Sequence, residues 1–330
     1  MERYREILRR GQVGMYISMF VLGGLFLLIT QRVERFFTPC HTMYSLINPN
    51  FRCVASSITE WSYEPLRDDL ITKITALQKK KSVAHVSVYF RDLTRGPRFG
   101  IEEYEKFIPG SLLKVPLMLA VLHEADRNPA LLDQPLAFSG AFADITNNFE
   151  RPEETIQPNT PYTVRELLRK MIVYSDNLSK DLLTQKLAAS PLQTVYDTFL
   201  DTGVAAIMAP ETQYVSIQSY ATLFAVLYNR GYLSGAMSQL ALELLSSSTF
   251  RDGLVAGVPA DVRVAHKFGV RMVPKGQNQL HDCGIVYHPS ATYILCVMTT
   301  GTDVTDEAAA IADVSRATYD AVGSVHRRNP

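Results

Sequence analysis

The chain has no surplus charge of either sign: Lys and Arg together number 33, and so do Asp and Glu. A neutral balance with no basic arm or stripe excludes the electrostatic footprint of a nucleic-acid binder. The four cysteines are not spaced as zinc ligands and the seven histidines show no metal-binding interval, so neither a metal nor a cofactor is expected. Internal repeats and low-complexity tracts are also missing, which argues against a solenoid or a disordered array. What remains is 330 residues, 47% of them hydrophobic, enough to bury a full core in one large domain or two intimate subdomains.

Charge is absent locally as well. Residues 13–30 carry no charged side chain. As a helix this run spans about 27 Å at ~1.5 Å per residue, close to a bilayer core. Residues 30–35 offer no small-x-small cleavage signature, so the run reads as an uncleaved anchor rather than a removed signal peptide. Arg3, Arg5, Arg9 and Arg10 precede it, whereas Arg32 and Arg35 follow. That asymmetry places the N-terminus in the cytoplasm and the rest of the chain outside, with membrane lipid as a partner of residues 13–30. The expected organisation is a tail and anchor over 1–31, a juxtamembrane linker over 32–61, and a domain over 62–330.

Four cysteines suit an oxidising compartment. Cys40 and Cys53 lie close enough in sequence for a local loop disulfide. Cys283 and Cys296 flank His288-Pro289-Ser290-Ala291. If those four residues form a hairpin loop, Tyr287 pairs with Thr292 and Cys283 falls opposite Cys296. A cross-strand disulfide and two buried reduced thiols both fit that placement.

Hydrophobic periodicity supplies the elements. Helices are expected over Glu64–Lys80, Leu113–Asp126, Val164–Val173, Leu178–Leu187, Leu192–Leu200 and Ile217–Tyr228. A last one is expected over Asp303–Val322, with Asp306 or Thr305 near its cap. Strands are expected over Val83–Asp92, Phe99–Ile101, Val262–Phe268, Asp282–Tyr287 and Thr292–Thr299. Strand patterns bracket a helical middle of about residues 112–250. The predicted fold is therefore α+β: one antiparallel sheet built from both ends of the chain, flanked by the N- and C-terminal helices, with an inserted all-helical subdomain. The cleft between the two is the default place for a site.

Three short motifs occur in order. Ser111-Leu112-Leu113-Lys114 follows Pro109-Gly110 and opens a helical run, so hydroxyl and ammonium share one helical face. A nearby amine can take the hydroxyl proton and turn a weak nucleophile into one that attacks a carbonyl. Ser175-Asp176-Asn177 sits between two helical runs, where such residues on their own form turns and caps. Lys267-Phe268-Gly269 ends a strand pattern, and the glycine permits close approach of a ligand to the backbone. Pro116 removes a backbone donor one turn into the first helix and predicts a local distortion there. His266 and His281 read as surface or packing residues.

Order and context of the three motifs resemble the penicillin-recognising serine enzymes, and within them the class A β-lactamase-like serine hydrolases. Val164-Arg165-Glu166-Leu167-Leu168 leading into Tyr174-Ser175-Asp176-Asn177, and His281-Asp282-Cys283-Gly284-Ile285-Val286, look like the same family. The likeness covers about residues 62–323. It implies that Ser111 Oγ is the nucleophile of an acyl-enzyme, with Lys114 accepting or relaying its proton under the influence of Lys267 and burial. Ser175 would pass a proton toward the leaving nitrogen. Asn177 would bond the substrate amide and help hold Lys114, while Lys267 would draw a substrate carboxylate. The backbone N–H groups of Ser111 and Val270 would form the oxyanion hole, beside Gly269. The substrate implied is a β-lactam or a peptidoglycan-type D-amino-acid peptide.

Two departures limit the likeness. The family's Glu-x-x-Leu-Asn string, whose glutamate activates the deacylating water, is missing. Between Asp181 and Ser216 the acidic residues are Asp181, Asp197, Asp201 and Glu211. Glu211, in Ala209-Pro210-Glu211-Thr212, is read as a surface charge. Secondly, Phe268 stands where the family has a hydroxyl for the substrate carboxylate. Arg271 either replaces that contact or is a solvated strand charge. Acylation with slow hydrolysis is the expected behaviour; a silent wall-fragment binder is the competing one.

Overall fold

Leu66, Leu70 and Ile74 recur at helical spacing behind Pro65, and they are the buried stripe of the first helix, α1 (Glu64–Lys79). The structure is a computed structural model that describes residues 44–48, 63–81, 83–94, 96–139, 152–186, 189–200, 214–273 and 276–328. Residues 13–30, Cys40, Cys53, Asp201 and Glu211 lie outside these. Among the described residues no helix is long and apolar enough to cross a membrane.

Five antiparallel strands form the main sheet: β1 (His85–Asp92), β2 (Arg98–Ile101), β7 (Val264–Arg271), β8 (Asn278–Tyr287) and β9 (Thr292–Gly301). Their order is β2-β1-β9-β8-β7, so strands from both ends of the chain do meet in one sheet, with β7 at an edge. Short pairs join β3 (Lys106–Phe107) to β6 (Val215–Ser216) and β4 (Pro135–Ala137) to β5 (Pro161–Thr163). One sheet face packs on α1 and the last helix, α8 (Val304–Arg328).

The other face carries the helical part: α2 (Lys114–Arg127), α3 (Val164–Val173), α4 (Asn177–Lys186), α5 (Ala189–Phe199), α6 (Ile217–Tyr228) and α7 (Gly235–Ser246). Two apolar cores therefore lie on opposite sides of the sheet. This is the predicted α+β architecture.

Local chemistry explains the helix starts. Thr163 and Glu166 form a reciprocal capping box at α3. Ser216 Oγ accepts the Ser219 N–H at α6. At α8 the Asp303 carboxylate accepts the Thr305 N–H at 2.7 Å, and Thr305 and Asp306 lie in the first turn, near the cap as expected. The helix also runs past Val322 to Arg328. At α2 a 3₁₀ turn over Gly110–Leu113 gives way to α-helix at Lys114. Pro116 thus falls in the first α turn, where its missing N–H costs least, and the distortion expected there is this change of helix type.

Within the expected linker, Leu46 and Ile47 are buried in the domain core. The Leu46 N–H donates to Gln239 Oε1, and the Leu46 carbonyl accepts from the Tyr287 hydroxyl. At residues 44–48 the chain is docked, because two large apolar side chains there gain more by burial than by exposure. The β8–β9 register pairs Tyr287 with Thr292 and Cys283 with Cys296, as the hairpin count expects, and the two cysteines form a disulfide.

Candidate active site

The site forms where the 3₁₀ turn of Ser111, the α3–α4 connection and β7 converge. Two glycines permit the convergence. Gly110 has φ +55°, and a Cβ there would stand 2.6 Å from the Val270 carbonyl oxygen. A Cβ on Gly269 would collide with the Pro109 carbonyl and crowd Leu112. Gly269 was expected to admit a ligand; what it admits is the chain's own Ser111 turn, because that turn packs on β7. The two backbones that carry Ser111 and Val270 are thereby pressed together.

A continuous polar path results. Lys114 Nζ donates to Ser111 Oγ at 2.8 Å and to Ser175 Oγ at 2.9 Å. It also donates to the Ser175 carbonyl at 2.5 Å. Lys267 Nζ reaches the same Ser175 Oγ at 3.0 Å. Lys114 is 1% exposed and Lys267 fully buried, so neither ammonium is a solvated surface charge. A buried alcohol within hydrogen-bond reach of a buried amine can be deprotonated and can attack an electrophilic carbon.

Ser175 takes the left-handed backbone conformation, φ +58°, unusual for a residue with a Cβ. Its neighbour secures that turn. Asp176 caps α4: its Oδ2 accepts the Ser179 N–H at 2.9 Å and the Ser179 hydroxyl at 2.5 Å, and its Oδ1 accepts the Thr155 hydroxyl at 2.6 Å. The Asp176 N–H donates to the Lys170 carbonyl. The motif is therefore cap and site at once: Asp176 serves the helix, and Ser175 faces the two lysines.

Asn177 is the first residue of α4 and half-buried. Arg271 lies farther along β7, opposite Gln279 of β8 and half-buried, and its side chain makes no ion pair among the described residues. Phe268 stacks on Phe250 at 4.2 Å between ring centroids, and its ring centre lies 4.1 Å from Lys267 Nζ. An aromatic ring facing the ammonium takes the place of a hydroxyl there.

One support escapes sequence reasoning. The Tyr220 hydroxyl donates to the Leu112 carbonyl at 2.9 Å, just past Ser111. Burial, with Asp282 nearby, pushes that phenol well above its usual pKa, so it remains a donor. Tyr220 is one residue in the apolar stripe of α6, and no local signal marks it. His266, expected at the surface or in packing, is buried and paired through Nδ1 with Asp282 Oδ1 at 2.8 Å. His281 is buried as well. Neither is a surface residue, because β7 and β8 are covered on both faces at these positions.

Comparison with known proteins agrees with this geometry. A family model described as "Beta-lactamase enzyme family" matches residues 69–322. The extended-spectrum β-lactamase PER-1 of Pseudomonas aeruginosa is 25% identical over 216 residues, 59% of this chain and 68% of that protein. A β-lactamase of Streptomyces albus G is 26% identical over 264 residues, 74% of this chain and 82% of that protein. Among solved structures, a PBP-A variant described as an acyl-enzyme complex with penicillin G superposes with a TM-score of 0.65 at 21% identity. That match covers 79% of this chain and 97% of the other.

Proposed function

The chain belongs to the β-lactamase enzyme family and is a serine hydrolase of the β-lactamase and penicillin-binding type; from that premise we propose that a β-lactam acylates Ser111 and is released slowly. The observation that carries this reading is the path Ser111 Oγ–Lys114 Nζ–Ser175 Oγ–Lys267 Nζ, each step within 3.0 Å. Lys114 as free base takes the Ser111 proton as Oγ attacks the lactam carbonyl. The Ser111 and Val270 N–H groups hold the oxygen that becomes negative. Ser175 returns a proton to the lactam nitrogen as the C–N bond breaks, and Lys267 keeps Ser175 in place. Asn177 bonds the substrate amide. With Phe268 offering no hydroxyl, Arg271 supplies the positive partner of the substrate carboxylate beside Gly269.

Release is slow in this reading because no Glu-x-x-Leu-Asn string supplies a glutamate to activate water. The same absence favours a second reading, a peptidase or transpeptidase acting on D-amino-acid peptides of cell-wall type. In both, the domain works outside the cell, held at the membrane by residues 13–30.

Intact-mass measurement after treatment with penicillin should show one adduct on the wild-type chain and none on Ser111→Ala. Nitrocefin should turn over poorly. An unmodified wild-type chain would defeat the acylation claim, and rapid nitrocefin hydrolysis would defeat slow release. Retained, noncovalent penicillin binding by Ser111→Ala with no wild-type adduct would point to a silent binder instead.

A further inference from the structure

The segment entering Ser111 has few backbone bonds of its own. Pro109 has no N–H, and Gly110 sits in the left-handed region. Immediately before them, both backbone groups of Ile108 are held by side chains from β8. The Ile108 N–H donates to Gln279 Oε1 at 2.9 Å. The Ile108 carbonyl accepts from His281 Nε2 at 3.1 Å. Gln279 and His281 are two residues apart and so project from one face of the strand.

Their register partners on β7 are Arg271 for Gln279 and Gly269 for His281, with Val270 between. The stretch of β8 that grips the Ser111 turn is therefore the stretch hydrogen-bonded beside Val270. One oxyanion donor belongs to the turn and the other to β7; β8 touches both.

We propose that Gln279 and His281 are positioning residues that set the spacing between the Ser111 and Val270 N–H groups. The inference rests on the reading of Ser111 as an acylated nucleophile. His281 suits the task because it stays a neutral donor. Burial lowers its pKa to about 4, against the opposing effect of its bond to Ile108. Its ring is wedged edge-on against Phe107 at 5.2 Å, which limits its freedom to turn. Gln279 is half-buried, so its replacement disturbs the core less.

The test compares His281→Leu and Gln279→Leu, which remove the bonds, with His281→Gln and Gln279→Glu, which keep a donor and an acceptor in place. Two readouts are taken on the full chain: the acylation rate constant with penicillin, separated from its noncovalent Kd, and the affinity for phenylboronic acid. The boronate places a tetrahedral oxygen in the oxyanion hole. Small misplacement of reacting groups costs up to about 100-fold, so the leucine variants should acylate about 10- to 100-fold more slowly. Their boronate affinity should fall in parallel, with noncovalent Kd unchanged and both losses largely rescued in His281→Gln and Gln279→Glu.

Folded leucine variants with wild-type acylation and boronate affinity would overturn the proposal, as would a loss that the conservative variants do not rescue. Should His281→Leu fail to fold, Gln279→Leu decides alone. A wild-type chain that binds boronate yet resists penicillin would defeat the β-lactam reading, while the boronate affinities still judge the clamp. A wild-type chain that takes neither would defeat both.

Discussion

The two faces of the five-stranded sheet bury polar side chains to different ends. Toward the helical part, Lys267, Gln279 and His281 bond partners 92, 171 and 173 residues away in sequence. Toward α1 and α8, Asp282 bonds His266 and Leu254, and Glu307 bonds Thr299, across separations of 16, 28 and 8 residues. The first set ties the Ser111 turn and the α3–α4 connection to the sheet. The second ties the sheet to its immediate surroundings. Each set leaves buried atoms without hydrogen-bond partners among the described residues: His281 Nδ1 in the first, His266 Nε2 and Glu307 Oε1 in the second. Burying polar atoms is costly on both sides. Only the site face repays that cost by fixing groups from distant parts of the chain relative to one another.

Two residues on neighbouring strands, Lys267 of β7 and Asp282 of β8, make the sharpest test of this contrast. Lys267→Ala frees Ser175, which passes the proton, and should slow acylation of Ser111 by about 10²- to 10⁴-fold, the usual range for a lost proton-transfer step, with little loss of stability. Time-resolved intact-mass measurement and a melting curve report the two effects separately. Wild-type acylation by Lys267→Ala would erase the site face's special status.

On the opposite face, Asp282→Ala strands the Leu254 N–H and His266 Nδ1. A loss on the order of 3 kcal/mol is expected for two such buried groups. Tm should then drop by roughly 6–12 °C for a domain of this size. Acylation by the folded variant should be unchanged; a rate loss matching that of Lys267→Ala would show that the faces are not independent.

What could be read from the sequence follows the same division. Val164–Val173 and Ile217–Tyr228 match their helices residue for residue, because Thr163 and Ser216 mark the starts and the apolar period does the rest. The Cys283–Cys296 pairing follows from strand alternation and a four-residue hairpin loop. Ser111, Lys114, Ser175 and Lys267 are legible as motif members, and the structure brings them together. Periodicity does not isolate α7 within the helical middle, nor does it find the short β3–β6 and β4–β5 pairs, whose two or three residues carry too little pattern. The supports are hidden for another reason. Tyr220, Gln279 and His281 act on backbone atoms more than a hundred residues away, and nothing in their local sequence encodes that distance.

Glu307 offers the mildest test, one of stability alone. Its carboxyl is buried under β8 and β9, and burial raises its pKa to about 7 despite the Thr299 hydroxyl and Leu280 backbone bonds, with Asp303 adding to the rise. Between the ordinary carboxylate value near 4.5 and about 7, the native state holds a proton that the unfolded chain has released. Stability therefore falls as pH rises through that window and levels off above it. Glu307→Gln removes the titration. Its Tm should match wild type near pH 4.5 and exceed it at pH 8.5 by several degrees, the sign following from the carboxyl that wild type must keep protonated or bury as an anion. Acylation should be the same for both chains at either pH, since no bond from Glu307 reaches the Ser111 turn. An equal Tm difference at both pH values would mean that the carboxyl does not change its proton on folding, and that the face under α1 and α8 tolerates a buried anion as well as the site face tolerates its lysines.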